Sequence, residues 1–112
     1  MEIIEKALTK EEIKNLGRKY GRYMKVVADL ENGILIIGCS LHVDGEKMLL
    51  EKGGKSLNIW GGGLNFRTKE IDMTAILNLR PKLNNPSMEI IDFKRREKFF
   101  KIVKKLFGNL WL

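Results

Sequence analysis

The chain has 112 residues, 44% of them hydrophobic and 31% charged, a balance that excludes a disordered tail and suits one domain with its own core. Cys39 is the only cysteine, which excludes an internal disulfide and a four-thiolate zinc site within one chain. The net charge is +7, with the excess concentrated in residues 92–112 at +5, and no apolar run approaches the roughly 20 residues needed to cross a bilayer.

Ile3-Ile4 reads as a short opening strand. Thr9 and Glu12 then have the spacing of a capping box, and Leu8 and Ile13 that of a hydrophobic staple. A helix is expected from Thr9 to about Tyr20, with Ile13, Leu16 and Tyr20 on one face. The runs Met24–Leu30 and Ile34–Gly38, joined through Glu31-Asn32-Gly33, predict a hairpin, because Asn-Gly accepts the positive φ that tight turns require. Ile34 to Ile37 are all apolar, as in an interior strand buried on both faces.

From Asp44 to Lys52 the pattern is helical, with Asp44 as the expected cap and Gly53 as the left-handed stop. Leu57–Asn65 and Ile71–Leu79 are the next expected strands. The first contains Gly61-Gly62-Gly63, which implies a bulge, a bend or a close approach of another segment. Pro81 to Ser87 reads as a loop, and Asp92 caps a last helix that should run to Phe107 and stop at Gly108. The expectation is a single α+β domain over 1–112, an antiparallel or mixed sheet with helices packed on it, in the order β-α-β-β-α-β-β-α. The opening Met1-Glu2-Ile3-Ile4-Glu5 lacks the basic and apolar segments of a secretion signal, so a cytoplasmic protein is expected, with no membrane partner.

Gly53-Gly54-Lys55-Ser56 has the look of the end of a phosphate-binding loop, but Leu49 stands where its first glycine belongs, and the segment leaves a helix instead of entering one. His42, the only histidine, stands beside Asp44 and Glu46, as a general acid/base would. Acid/base cleavage of a phosphodiester also needs a second proton-transfer group and a cation, for which Glu46 with Arg80 or Lys55 are the candidates. A histidine next to a helix start also fixes turns by bonding to the backbone. Cys39, His42, Asp44 and Glu46 match no standard metal spacing, so no metal or other cofactor is assigned.

The closing helix is amphipathic. Phe99, Phe100, Ile102, Val103, Leu106 and Phe107 form one face, and Lys94, Lys98, Lys101, Lys104 and Lys105 the other. That stripe suits the phosphate backbone of RNA or another polyanion, and Trp60 and Arg67 are candidates for stacking on bases. The plain alternatives are a solvated helix face and a buried tryptophan. The tail Leu110-Trp111-Leu112 needs cover, from the domain's own sheet or from a second copy in a homodimer. The functional expectations are thus a nucleic-acid-binding module, a small phosphodiester hydrolase using His42, or a self-associating protein.

Leu41-His42-Val43-Asp44, the stretch from Gly54-Lys55-Ser56 to Trp60-Gly61, Asn78-Leu79-Arg80-Pro81 and the basic closing helix together resemble a family of small prokaryotic proteins catalogued only as a domain of unknown function. The likeness covers nearly the whole chain and brings no activity with it. It implies that His42, Asp44, Trp60, Gly61, Arg80 and Pro81 matter for folding or for function.

Overall fold

A computed structural model describes residues 1–112. Five strands, β1 (Glu2–Ile4), β2 (Tyr23–Asp29), β3 (Ile34–Ile37), β4 (Ile59–Asn65) and β5 (Ile71–Asp72), form one antiparallel sheet in the order β1-β3-β2-β4-β5. Three helices, α1 (Lys10–Tyr20), α2 (His42–Glu51) and α3 (Phe93–Leu106), complete the expected α+β order.

The side-chain period of two divides the core. Met24, Val26 and Ala28 of β2, Leu35 and Ile37 of β3 and Trp60 and Leu64 of β4 pack with Ile13 and Leu16 of α1 and Phe99, Val103 and Leu106 of α3. The alternate positions Val27, Ile36 and Ile59 meet Leu49 of α2 on the opposite face. Interior strand β3 is therefore apolar throughout because it serves two cores.

The local signals act as read at α1. Thr9 Oγ1 accepts from Glu12 N at 3.1 Å, Glu12 Oε1 accepts from Thr9 N at 2.9 Å, and Leu8 and Ile13 are both buried. The hairpin loop spans residues 30–33, with Gly33 at φ +68°, and the buried Asp29 carboxylate holds the turn by accepting from Glu31 N, Asn32 N and Asn32 Nδ2. Gly53, at φ +92°, follows the end of α2 and leads into a 3-10 turn at Ser56–Asn58, so the Gly53–Ser56 stretch terminates a helix.

Two expectations need correction, and the three readings of the glycine run reduce to one. Helix α2 begins at His42, with Leu41 at its cap position making no side-chain bond, so Asp44 is a residue of the first turn and not the cap. The glycine run produces no bulge: β2 and β4 pair residue for residue from Tyr23↔Asn65 to Asp29↔Ile59. The glycines serve close approach instead, since a Cβ on Gly62 would stand 2.2 Å from Asp72 O and 2.7 Å from Phe99 Cζ. Finally, the strand expected over Ile71–Leu79 stops at Asp72, and Ile76–Asn78 is a 3-10 turn.

Asn78 explains that stop. Its Oδ1 accepts from Gly61 N and its Nδ2 donates to Gly61 O, both at 2.8 Å, so one amide side chain satisfies the edge of β4 in place of a strand. Asn85, also buried, donates to the carbonyls of Asn78, Ser87 and Glu89 and accepts from Ile91 N. These two side chains pin residues 73–91 across the sheet edge with little regular structure.

The C-terminal tail folds back as a 3-10 turn over Gly108–Trp111. Leu110 and Trp111 pack on the main core, Asn109 Nδ2 donates to Leu8 O at 2.7 Å, and Lys104 Nζ lies 3.9 Å from the Trp111 ring centroid. Leu110 and Trp111 therefore take their cover from the protein's own core, while the terminal Leu112 stays 82% exposed. No helix is long and apolar enough to cross a membrane.

Candidate functional site

The first turn of α2 and the segment 76–80 enclose a cleft of about 540 Å³ against β2. Its lining brings together Lys25, His42, Glu46 and Arg80 with Leu41, Val43, Ile76, Leu77 and Leu79. His42 and Glu46 share a helix face because they are four residues apart. Arg80 comes from a distant part of the chain, carried there by the turn that Asn78 anchors.

The His42 ring is oriented by the sheet. Nε2 lies 2.7 Å from Gly62 O, and since a carbonyl only accepts, the neutral ring holds its proton on Nε2 and its lone pair on Nδ1. The side chain thus bonds to a remote strand, not to its own turn. A Cβ on Gly61 would stand 3.0 Å from His42 Cδ2, so the Cδ2–Nε2 edge needs glycine beside it.

Arg80 is more committed than a mobile phosphate cation would be. Nη2 donates to Glu46 Oε2 at 2.7 Å, Nη1 donates to Ser56 O, and the guanidinium stands 5.0 Å from the Trp60 ring centroid. The two side chains of this ion pair are only 13% and 21% exposed. Burial lowers the Arg80 pKa, Glu46 opposes that shift, and neighbouring Arg95 adds to it. The group nevertheless remains charged at neutral pH. Lys25 gives one donor to Ser40 O at 2.7 Å and keeps two N–H groups.

Other expected site residues lie elsewhere. Asp44 is exposed and lines a separate groove with Gly38, Cys39 and Ser40, where burial pushes the Cys39 thiol pKa up. Lys55 is exposed and outside the cleft. Trp60 is fully buried, donates to Leu57 O at 3.0 Å and lies beneath Arg80 and Arg95, so it is closed to base stacking. Arg67 is exposed in the turn after β4, while its neighbour Phe66 packs edge-on against Phe107.

On α3, Lys94, Lys98, Lys101 and Lys105 are exposed, and their 4-3-4 spacing places them within about 60° of arc. Lys101 makes a long contact of 3.4 Å with Glu97, and the other three have no ion-pair partner. Lys104 departs from the expected stripe, turned toward Phe100 and Trp111.

Sequence reading gave no part in the site to Lys25, Ile76, Leu79 or Asn78. A signal existed for Lys25, a cation flanked by Met24 and Val26 in a largely apolar strand. For Asn78 the only signal was its place in the Asn78-Leu79-Arg80-Pro81 stretch of the resemblance, since by itself it looks like any surface amide.

No curated protein and no solved structure matches the chain. A family model described as a protein of unknown function matches residues 2–106, a span that holds the cleft, the buried Asn78 and Asn85 and all of α3. The chain therefore belongs to the DUF5674 family.

Proposed function

We propose that the domain is a nucleic-acid-binding module, with RNA as its expected ligand and α3 as the contacting element. The observation that carries this reading is the ridge Lys94–Lys98–Lys101–Lys105, four exposed ammonium groups in line with a single long carboxylate contact among them. Eleven helical residues separate its ends, about 16 Å, which corresponds to about five phosphates along one strand of a duplex. Backbone contact of this kind positions a strand without reading its bases.

Fluorescence anisotropy with a mixed-sequence single-stranded RNA tests the reading. Four phosphate contacts give a slope of log K against log salt of about −3, and replacing Lys98 and Lys101 by Ala should reduce it to about −1.5. Absence of binding at tens of micromolar in low salt removes the proposal, because non-specific affinities are typically 10⁻⁴ to 10⁻⁶ M even at physiological salt.

The convergence of His42, Glu46 and Arg80 favours a second reading, phosphodiester hydrolysis with His42 Nδ1 as proton acceptor. It ranks below the first because Arg80 and Glu46 neutralise each other, which leaves no free second proton-transfer group. Turnover of RNA or of bis(4-nitrophenyl) phosphate that falls by about 10²-fold or more in His42→Ala would reverse the ranking.

A further inference from the structure

We infer that the cleft between α2 and the 76–80 segment binds a small hydrophobic carboxylate, its head at Lys25 and His42 and its body among Leu41, Val43, Ile76 and Leu79. The inference rests on the cleft alone and is independent of the α3 ridge.

Four large apolar side chains border one opening: Ile76 is 77% exposed, Leu41 58%, Val43 53% and Leu79 50%. Scattered exposed apolar residues are ordinary, but a group of them around a concavity marks a surface that a ligand covers. The volume of about 540 Å³ falls within the range of small-molecule sites, roughly 300–1,000 Å³. The pattern of an apolar wall with a few convergent polar groups is also that of such sites.

Charge selects the head group. Arg80 and Glu46 form a closed pair, so Lys25 supplies the one net positive charge of the lining at neutral pH, and two of its N–H groups are free. A carboxylate balances that charge. A phosphate monoester would leave a second negative charge uncompensated in a partly desolvated cleft, which is unfavourable. His42 adds a fixed polar contact, since its Nε2 edge is held by Gly62 O and Nδ1 remains for the ligand or a bridging water.

His42 is the only histidine, so its ring Cε1–H proton resonance is an unambiguous reporter of the cleft. The probe is sodium octanoate, titrated into the full chain. The expected result is a saturable shift with a Kd of about 1 mM or tighter, near −4 kcal/mol, as suits a ligand of ten heavy atoms. Lys25→Met should weaken octanoate at least about tenfold, whereas Lys25→Arg, which keeps the charge, should stay within about threefold of wild type. Octyl phosphate should bind more weakly than octanoate, and Ile76→Ser with Leu79→Ser should weaken both. Thermal melts confirm that each variant is folded before its affinity is read. Absence of a saturable shift up to about 10 mM, tenfold above the expected Kd, overturns the inference. So does wild-type affinity in folded Lys25→Met, or tighter binding of octyl phosphate.

Discussion

Replacing Asn78 by leucine tests whether one amide side chain holds the cleft wall to the sheet. Leucine keeps the branched heavy-atom outline of asparagine and cannot hydrogen-bond, so the change removes the polar contacts, and its larger methyls add some crowding to the loss. Asn78 is fully buried, and its buried contacts are with Gly61 N, Gly61 O and Met73 O at 2.8, 2.8 and 3.2 Å. Each orphaned backbone group costs about 1–3 kcal/mol, so the loss should total about 3–6 kcal/mol after partial relaxation. Domains of this kind are typically stable by about 5–15 kcal/mol. With an unfolding entropy of about 2.1 cal/mol/K per residue, a 112-residue chain should lose about 13–25 °C in Tm. Far-UV circular dichroism and tryptophan fluorescence, followed through thermal unfolding, measure it. A fall of less than about 4 °C, about 1 kcal/mol, would refute the role given to Asn78.

Two glycines should respond to alanine with opposite sign. Gly62→Ala drives a Cβ to 2.2 Å from Asp72 O, so it should destabilise by about 3 kcal/mol, read as a lower urea midpoint. Gly17→Ala, inside α1 with only Phe66 Cγ nearby at 3.9 Å, should stabilise by about 0.5–1 kcal/mol; equal effects at the two sites would contradict the packing described. Tyr23 Oη donates to Asp72 Oδ2 at 2.7 Å, and burial, reinforced by Asp72, raises the phenol pKa above its ordinary value near 10. A raised folded pKa means that this contribution is complete below about pH 10 and is lost as pH rises further. The stability advantage of wild type over Tyr23→Phe should therefore hold up to about pH 10 and shrink above it in urea titrations, and a difference that stays constant above about pH 10 would be inconsistent with the assignment.

The readable parts of the fold were those written in adjacent residues. Thr9 with Glu12, Asp92 with Arg95 N and Gly53 after α2 act within one turn of chain, so spacing alone reveals them. The segment Ile71–Leu79 misled for a physical reason: Ile71, Met73, Ala75, Leu77 and Leu79 alternate as in a strand, but the β4 edge at Gly61 takes its hydrogen bonds from Asn78. Whether an asparagine is buried depends on partners far along the chain, and no local pattern encodes that. The same limit divides the cleft. His42 and Glu46 are visible as an i, i+4 pair, while Lys25 and Arg80 join them only through the order of strands and the anchoring of the 76–80 turn.

Net charge alone overstates the basic surface of α3, and the chemistry of its side chains explains why. Residues 92–112 contain seven cations, yet three are engaged in contacts with the rest of the fold. Arg95 Nη1 donates to Leu83 O and its guanidinium lies 4.5 Å from the Trp60 centroid, Arg96 Nη1 donates to Ile90 O, and Lys104 covers Trp111. A planar guanidinium with several fixed donors suits the task of holding loop carbonyls and covering an aromatic face at once. An ammonium on a flexible stem is more strongly hydrated and remains at the surface. The two arginines therefore tie the segment 83–90 to α3, while the lysines at 94, 98, 101 and 105 are left in water. Since Arg80 and Arg95 lie over the same buried Trp60, the α3 ridge and the cleft wall are braced on one side chain, and the two proposed binding surfaces share a rigid base.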